Sequence, residues 1–364
     1  MRIIQVTESL EVGGAERVVV TLANALAREH QVSVVCLKQG GALAQQLSPS
    51  VPWHAIGKRE GADPAALVRL VRLLRRERPD VIHTHDWGVF LDAMLASRLS
   101  GTSVNVHTVH GLYMTGGEGS WARAKRGMRH FFERRMAGRA HIVCVSEDLR
   151  RHVAAEVGIP LEATRSIANG VAVEAVPPEP GHADPAAVVF IAVCRLAPVK
   201  NLQLMIRAFA DASRSLPAAR LVIVGDGPER GMLEQLAAGF QLGARISFLG
   251  FRTDTDPLIR GADVMLLSSL SEGIPMSLLE AMTNGRAVIA TEVGGVPALV
   301  EHGLNGLLVP AGDEAAFSNA IQRLASDGAL RKQMGNAGHA RARGLFGMEK
   351  MVSAYEALYR ERAG

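Results

Sequence analysis

"RIIQVT" (residues 2–7), "GGAERVVVTLANALAREH" (residues 13–30) and "QVSVVCL" (residues 31–37) decide the fold of this chain. The first and third are short apolar runs of strand length. The second is an amphipathic helical pattern that opens on a glycine pair. A strand, a turn, a helix and a second strand within so few residues predict a right-handed βαβ unit. Gly13 and Gly14 let the backbone approach a ligand closely, and the helix that begins there points amide donors outward. A phosphate or a sugar hydroxyl suits such a turn; a tight turn with no ligand is the alternative. The GxGxxG dinucleotide pattern is absent, which weakens a dehydrogenase reading.

The unit recurs. "PDVIHTH" (79–85) precedes a helix expected from about Phe90 to Leu99 and then "VNVHTVHG" (104–111), and "AHIVCVS" (140–146) precedes "EDLRRHVAAEVG" (147–158). Residues 171–187, "VAVEAVPPEPGHADPAA", are too rich in Pro, Gly and acid for a long helix and read as a linker. The alternation then restarts with "VVFIAVCRL", "ARLVIVGDG", "RISFLGF", "DVMLLSS", "AVIAT" and "GLLVP". The expected architecture is α/β, with two Rossmann-like, doubly wound parallel-sheet domains. We place an N-terminal domain at 1–177, a C-terminal domain at 178–345, and a helix at 346–364 that packs back on the first domain. Ligands of open parallel sheets bind beyond the strands' carboxyl ends, so two such domains facing one another would form a cleft.

The bulk properties agree. The chain has 364 residues, 48% hydrophobic and 21% charged, which suits two soluble domains. No apolar run approaches the roughly 18 residues of a membrane-spanning helix. Glu8 and Glu11 fall where a signal peptide would carry its apolar core, so a cytoplasmic protein is expected. Cys36, Cys144 and Cys194 lie in strand-like runs at no metal-binding spacing and read as buried, reduced thiols. Residues 1–177 carry 22 Lys+Arg against 17 Asp+Glu, so the positive excess lies in the first half.

The second half carries the sharper motifs. "VCRLAPVKN" (193–201) places Arg195 and Lys200 after a strand, where two cations can neutralise a pyrophosphate. Solvated surface charges are the alternative. Gly225 in "VGDGP" and Gly250, Phe251 and Arg252 in "FLGFRTD" form strand-end turns that can present backbone to a flat base. "LLSSLSEGIPMSLLEAMTNG" (266–285) reads as strand, loop and helix. Gly273, Ile274, Pro275 and Met276 are expected to open that helix, with amides free for an anion. Glu272 and Glu280 flank the opening, and carboxylates accept paired hydrogen bonds from sugar hydroxyls. The plain reading makes Glu272 a helix-dipole partner and Glu280 a surface acid.

The spacing from Glu272 to Glu280 resembles the E-x7-E motif of retaining GT-B glycosyltransferases of family 4. "GGAER", "VHG" (109–111), "VSE" (145–147), "ANGV" (168–171), "CRLAPVKN", "VGDGP", "FLGF", "EGIPMSLLEAM" and "GGVPALVEHGLNGLLVPAGD" follow in that family's order over nearly the whole chain. The resemblance implies roles. Glu280 would hold the ribose hydroxyls and Glu272 those of the donor sugar. Arg195 and Lys200 would neutralise the departing diphosphate. The amides from Gly273 to Met276 would orient sugar or diphosphate, and Gly225 and Gly250 to Arg252 would face the nucleotide. Gly13 and Gly14 would lie on the acceptor and diphosphate side, and His110 against the donor sugar. No cofactor is implied, and no DxD-like metal motif stands at a strand end. The implied reaction is a metal-independent, front-face retaining transfer from a nucleotide-sugar, with a UDP-linked donor favoured.

Two features stand apart. His83 and His85 share a strand face, yet no third ligand is evident, and a structural pair is preferred to a metal site. Residues 121–139 carry seven Arg or Lys and one acid, Glu133, with Trp121, Met128, Phe131 and Phe132 interleaved. Such a helix can lie on an anionic membrane; a solvated face is the alternative. With the basic helix "PAALVRLVRLLRRERP" it suggests a peripheral protein on the membrane's inner face. The expected acceptor is therefore a lipid-linked or envelope glycan. Rivals are a soluble small-molecule acceptor, a non-catalytic nucleotide-sugar-binding protein, and an epimerase or phosphorylase of the same fold. Nucleic acid is a poorer partner, because the strand-end motifs already account for a ligand site.

Overall fold

The computed structural model describes residues 1–11, 13–102, 104–111, 120–178 and 187–363. Most of the Gly-rich stretch before the basic helix (112–119) and part of the expected linker (179–186) lie outside the described residues, as do the side chains of Trp121 and Arg126. The chain divides into two compact units, Met1–Gly170 with Met348–Gly364, and Val171–Gly347.

In the first unit the strands are β1 (Arg2–Thr7), β2 (Gln31–Cys36), β3 (Trp53–Ala55), β4 (Val81–His85), β5 (Val104–Val109), β6 (His141–Cys144) and β7 (Thr164–Ser166). Among the described residues they form a sheet in the order β3-β2-β1-β4-β5-β6-β7, every pairing parallel. The helices are α1 (Gly14–Leu26), α2 (Pro64–Glu77), α3 (Trp87–Ser100), α4 (Ser120–Ala137) and α5 (Glu147–Glu156). Their starts follow local chemistry. Asp63 caps α2 through Oδ1 to the Ala66 N–H at 2.9 Å, with Pro64 in the first turn. Ser146 caps α5 through the Leu149 N–H at 3.1 Å. The third helix begins at Trp87, one turn before the expected Phe90, because Trp87, Val89 and Phe90 are all buried.

The second unit repeats the arrangement with β8 (Val188–Val193), β9 (Ala219–Val224), β10 (Ile246–Phe248), β11 (Val264–Leu267), β12 (Ala287–Thr291) and β13 (Leu307–Val309), ordered β10-β9-β8-β11-β12-β13 and all parallel. Its helices are α6 (Leu202–Ala212), α7 (Arg230–Gly239), α8 (Thr255–Arg260), α9 (Met276–Thr283), α10 (Val296–Leu299), α11 (Glu314–Ser326) and α12 (Gly328–Leu345). Phe190, Phe209, Leu221, Ile289 and Phe317 are fully buried in one core cluster. Each such side chain contributes about 1.5–3 kcal/mol by leaving water.

The final helix, α13 (Met348–Ala363), belongs to the first unit. The chain leaves that unit at Gly170 rather than at 177. Residues 171–178 are held by the second unit: the Val171 N–H donates to the Phe346 carbonyl at 2.9 Å, and the Arg260 guanidinium reaches Glu174 at 2.8 Å. The buried Arg286 guanidinium donates to the carbonyls of Asn284, Ala262 and Pro178. A Pro-rich stretch reads as a linker in sequence, but backbone carbonyls need donors, and a buried arginine supplies them. No helix among the described residues is long and apolar enough to cross a membrane.

Candidate active site

Because every strand of the second unit is parallel, its carboxyl ends share one edge, and the motif segments meet there. Gly225, with φ +137°, lies so close to the 194 segment that a Cβ would sit 1.9 Å from the Cys194 carbonyl oxygen. The Gly225 N–H donates to the Gly250 carbonyl at 2.8 Å, and the Leu196 N–H to the Asp226 carbonyl at 2.9 Å. Three turns are thus interlocked through backbone. On the other side, a Cβ on Gly294 or Gly295 would lie 1.9 Å from the Glu272 carbonyl oxygen or 2.0 Å from that of Gly273. Only glycine lets the 292–295 turn seat against the 272–273 loop.

That loop carries the central ion pair. Lys200 Nζ lies 2.6 Å from Glu272 Oε1, and Ser269 Oγ donates to the same oxygen at 2.5 Å. The Glu272 side chain is only 9% exposed and that of Lys200 23%, so neither charge is freely solvated. Ser268 Oγ donates to the carbonyls of Lys200 (2.9 Å) and Asn201 (3.0 Å), fixing the loop on the turn that bears the lysine. Asn201 holds a left-handed conformation, φ +47°, between that turn and α6. The structure therefore joins two groups that the sequence reading assigned separately. The pairing leaves both able to act. Glu272 Oε2 takes no partner among the described residues, and a lysine ammonium has three donors.

The other residues expected to meet the donor lie in the same unit. Arg195 is exposed and makes no ion pair among the described residues. Helix α9 begins at Met276, not at Gly273 as expected, because Pro275 takes an extended conformation (φ −70°, ψ 115°) and stands as its N-cap. Gly273 and Ile274 belong to the buried loop before the helix. Glu280 lies half-buried one turn from the end of α9. Gly250 takes φ +68°, and the Phe251 ring beside it is exposed. Arg252 is held by Asp254 through two bonds of 2.7 and 2.5 Å. The "DTD" carboxylates are thus engaged by arginines, Asp254 by Arg252 and Asp256 by Arg260 at 2.8 Å.

The corresponding edge of the first unit is histidine-rich. Gly13 is the extended N-cap of α1, and the Glu16 carboxylate folds back so far that a Cβ on Gly13 would meet it at 2.2 Å. Burial pushes the Glu16 carboxyl up to about 7, and the nearby charges of Asp86, Glu8 and Glu11 add to the rise. His110 follows β5. Its N–H donates to Asp86 Oδ1 at 3.1 Å, and its ring Nε2 lies 2.9 Å from His85 Nδ1. Asp86 has φ +62°, a strained value for a residue with a Cβ. Burial lowers the pKa of His83, His85, His107 and His110, which keeps all four neutral at pH 7. His83 has both ring nitrogens on hydroxyls, Tyr359 at 2.6 Å and Thr108 at 2.7 Å, so it has no lone pair to spare for a metal.

Two family models cover the chain between them: Glycosyltransferase Family 4 matches residues 12–175, and Glycosyl transferases group 1 matches residues 179–341. The chain belongs to the family 4, group 1 glycosyltransferases. This glycosyltransferase is 27% identical to the UDP-Gal:alpha-D-GlcNAc-diphosphoundecaprenol alpha-1,3-galactosyltransferase of Escherichia coli, over 91% of its own length and 89% of the relative's. It is 34% identical to N-acetyl-alpha-D-glucosaminyl L-malate synthase of Bacillus anthracis over 47% of this chain and 45% of that one. Among solved structures, Anabaena HepE in complex with UDP-glucose superposes with a TM-score of 0.81 at 23% identity, covering 98% of this chain and 99% of that one. At that identity the likeness is one of fold, and the fold is GT-B.

Several residues that shape these edges escaped the sequence reading of this glycosyltransferase. Ser268, Ser269 and Asn201 gave no pattern signal. Gly294 and Gly295 open the quoted run "GGVPALVEHGLNGLLVPAGD", but no role was read for them. Glu16 lies inside "GGAER" and Asp86 directly follows "PDVIHTH", yet only the folded chain reveals the folded-back carboxylate and the positive φ.

Proposed function

We propose that this family 4 glycosyltransferase moves a sugar with retention from a UDP-linked nucleotide-sugar to a lipid-linked or cell-envelope glycan, without a metal. The observation that carries the reading is the Lys200–Glu272 pair at 2.6 Å on the loop before α9, with Arg195 on the same strand-end edge. Glu272 receives hydroxyls of the donor sugar on its open oxygen. Lys200 and Arg195 receive the negative charge that develops on the diphosphate as the glycosyl bond breaks, and preorganised cations lower that barrier. The acceptor oxygen bonds to the anomeric carbon on the face the diphosphate leaves, and its proton passes to the departing phosphate oxygen. Glu280 takes the ribose, Gly225 and Gly250 to Arg252 face the nucleotide, and His110 meets the donor sugar. The name of the Escherichia coli relative, which matches over nearly the whole of both chains, supports a UDP-sugar donor and a lipid-diphosphate acceptor, whereas that of the Bacillus anthracis relative, matched over less than half, names a small-molecule acceptor.

The acceptor side includes α4. Its single acid, Glu133, is buried and takes Arg129 at 2.6 Å and His130 at 2.9 Å within the same helix. Arg129 also donates to the Trp87 carbonyl at 3.0 Å and is structural. Met128, Phe131 and Phe132 are about half exposed (59%, 54% and 49%), and Arg134, Arg135 and Arg139 are exposed with them. We assign this face to an anionic membrane surface.

The test of the transfer reading is a panel of nucleotide-sugars assayed for nucleotide release, followed by Arg195→Ala and Lys200→Ala on the donor that works. Each should lower turnover by roughly 100-fold or more, as removal of a preorganised charge partner does. Arg195, exposed and without an ion pair among the described residues, isolates the charge effect from any loss of fold. Near wild-type turnover in both variants at saturating donor would remove the proposed role.

A further inference from the structure

The histidines of β4 and β5 are part of a longer construction. His83 and His85 lie on one face of β4, and Thr108 on the adjacent β5 shares it. Against that face α13 presents Tyr355 and Tyr359, one turn apart, each 1% exposed or less. Tyr359 OH lies 2.6 Å from His83 Nδ1, Thr108 Oγ1 lies 2.7 Å from His83 Nε2, and Tyr355 OH lies 2.9 Å from Thr108 Oγ1. The His83 ring is therefore held on both sides by hydroxyls, one of them from a helix 276 residues away in sequence. The His83 ring in turn lies against that of His85, with centroids 4.1 Å apart and planes tilted by 33°. His85 shares a hydrogen bond with His110, whose other nitrogen, Nδ1, is buried with no partner among the described residues.

We propose that Tyr355, Tyr359, Thr108, His83 and His85 are positioning residues that fix the ring and tautomer of His110, leaving its Nδ1 for a substrate hydroxyl. The inference rests on the reading that His110 faces the donor sugar. Its logic is proton counting. With both rings neutral, only one of His85 Nδ1 and His110 Nε2 can carry the shared proton, so the state of His110 Nδ1 is dictated by His85. A ring that could slide or flip would lose that relation. Contact with the His83 ring prevents it, and His83 cannot move without breaking its bonds to hydroxyls on β5 and α13. Such a chain makes a distant helix part of the site's geometry, much as partners behind a metal ligand orient it.

The test is 15N NMR of the histidine ring nitrogens in the full-length protein at pH 7.5. In the wild type His110 should show one neutral tautomer. His85→Asn and Tyr359→Phe should move its two nitrogens toward the averaged shifts of a mobile ring. Tyr359→Phe keeps the aromatic ring and is decisive if His85→Asn does not fold. A His110 that stays in one tautomer in Tyr359→Phe, or that is already averaged in the wild type, overturns the proposal. Addition of UDP-glucose, UDP-galactose or UDP-N-acetylglucosamine tests the underlying reading separately. Movement of the His110 Nδ1 resonance with none of them removes its donor-sugar role while leaving the positioning chain intact.

Discussion

Lowering the pH from 7.5 to 5.5 should destabilise the first unit by about 2–4 kcal/mol, and the cause is its buried histidines. His83, His85 and His107 have almost no exposed surface. Burial drives their pKa values far below 6.5, that of His107 to about 3, with neighbouring histidines adding repulsion. In the unfolded chain each titrates near 6.5. The unfolded state therefore binds protons below pH 6.5 that the folded state refuses, so stability is complete above that pH and is lost as pH falls. Each histidine costs about 1.4 kcal/mol at pH 5.5, or about 4 for the three. Glu16 opposes them. Its folded pKa is raised from 4.5 to about 7, so protonation on acidification favours the fold. Its gain over the same interval is at most about 2 kcal/mol, and less because the side chain is not fully buried. Trp53, Trp87 and Trp121 all lie in the first unit, and the Trp87 ring is 4.6 Å from that of His107. Tryptophan fluorescence in urea therefore reports this unit alone. With a slope of about 2 kcal/mol/M, the midpoint should fall by about 1–2 M between pH 7.5 and 5.5. An unchanged or higher midpoint at pH 5.5 would refute the argument.

Two further outcomes follow from the proposed function. Nucleotide release should survive EDTA, since Lys200 and Arg195 supply the positive charge and the "DTD" carboxylates are held by arginines; abolition by EDTA with rescue by Mn²⁺ or Mg²⁺ would sink the metal-free mechanism. Sedimentation with anionic vesicles should be salt-sensitive, because exposed charges are screened over about 8 Å at physiological ionic strength, and Arg134→Glu with Arg135→Glu and Arg139→Glu should abolish it while nucleotide release persists. Failure of the wild type to bind at low salt would return α4 to a solvated face.

The fold was legible because β-branched runs alternate with amphipathic helices, and each run named from the sequence of the second half became a strand. What periodicity could not place was anything set by backbone contact between distant segments. The boundary moved from 177 to 170 because Arg286, Phe346 and Arg260 bind residues 171–178, and no pattern in the Pro-rich stretch predicts two arginine donors and a carbonyl acceptor from elsewhere. The start of α9 moved from Gly273 to Met276 because proline suits a first turn in the abstract, whereas here it caps the helix from outside. The site was legible at the level of residue type. Cations after β8, acids around the loop before α9 and a glycine turn at α1 are chemical choices visible in one dimension. Their pairing was not. Lys200 and Glu272 are 72 residues apart in sequence, and only the β8–β11 adjacency brings them to 2.6 Å.

That adjacency also bears on how donor recognition and leaving-group stabilisation are linked. Glu272 is a nearly buried carboxylate, and a buried charge stripped of its partner is strongly destabilising. Its Oε1 is committed to Lys200 and Ser269. On the proposed reading the second oxygen takes the sugar, so the acid that recognises the donor is anchored by the cation that receives the diphosphate. On the same reading, Lys200 would be drawn toward the leaving group as negative charge builds there, and Ser269 would then hold Glu272 on the sugar. The serine needs a rigid loop to do this. The Thr291 hydroxyl donates to the Ser269 carbonyl at 2.6 Å, and the Gly294–Gly295 turn packs on the carbonyls of residues 272 and 273. Rigidity is thus drawn from backbone and small residues, which on the proposed reading would let Lys200 shift from Glu272 toward the diphosphate while the loop keeps its shape.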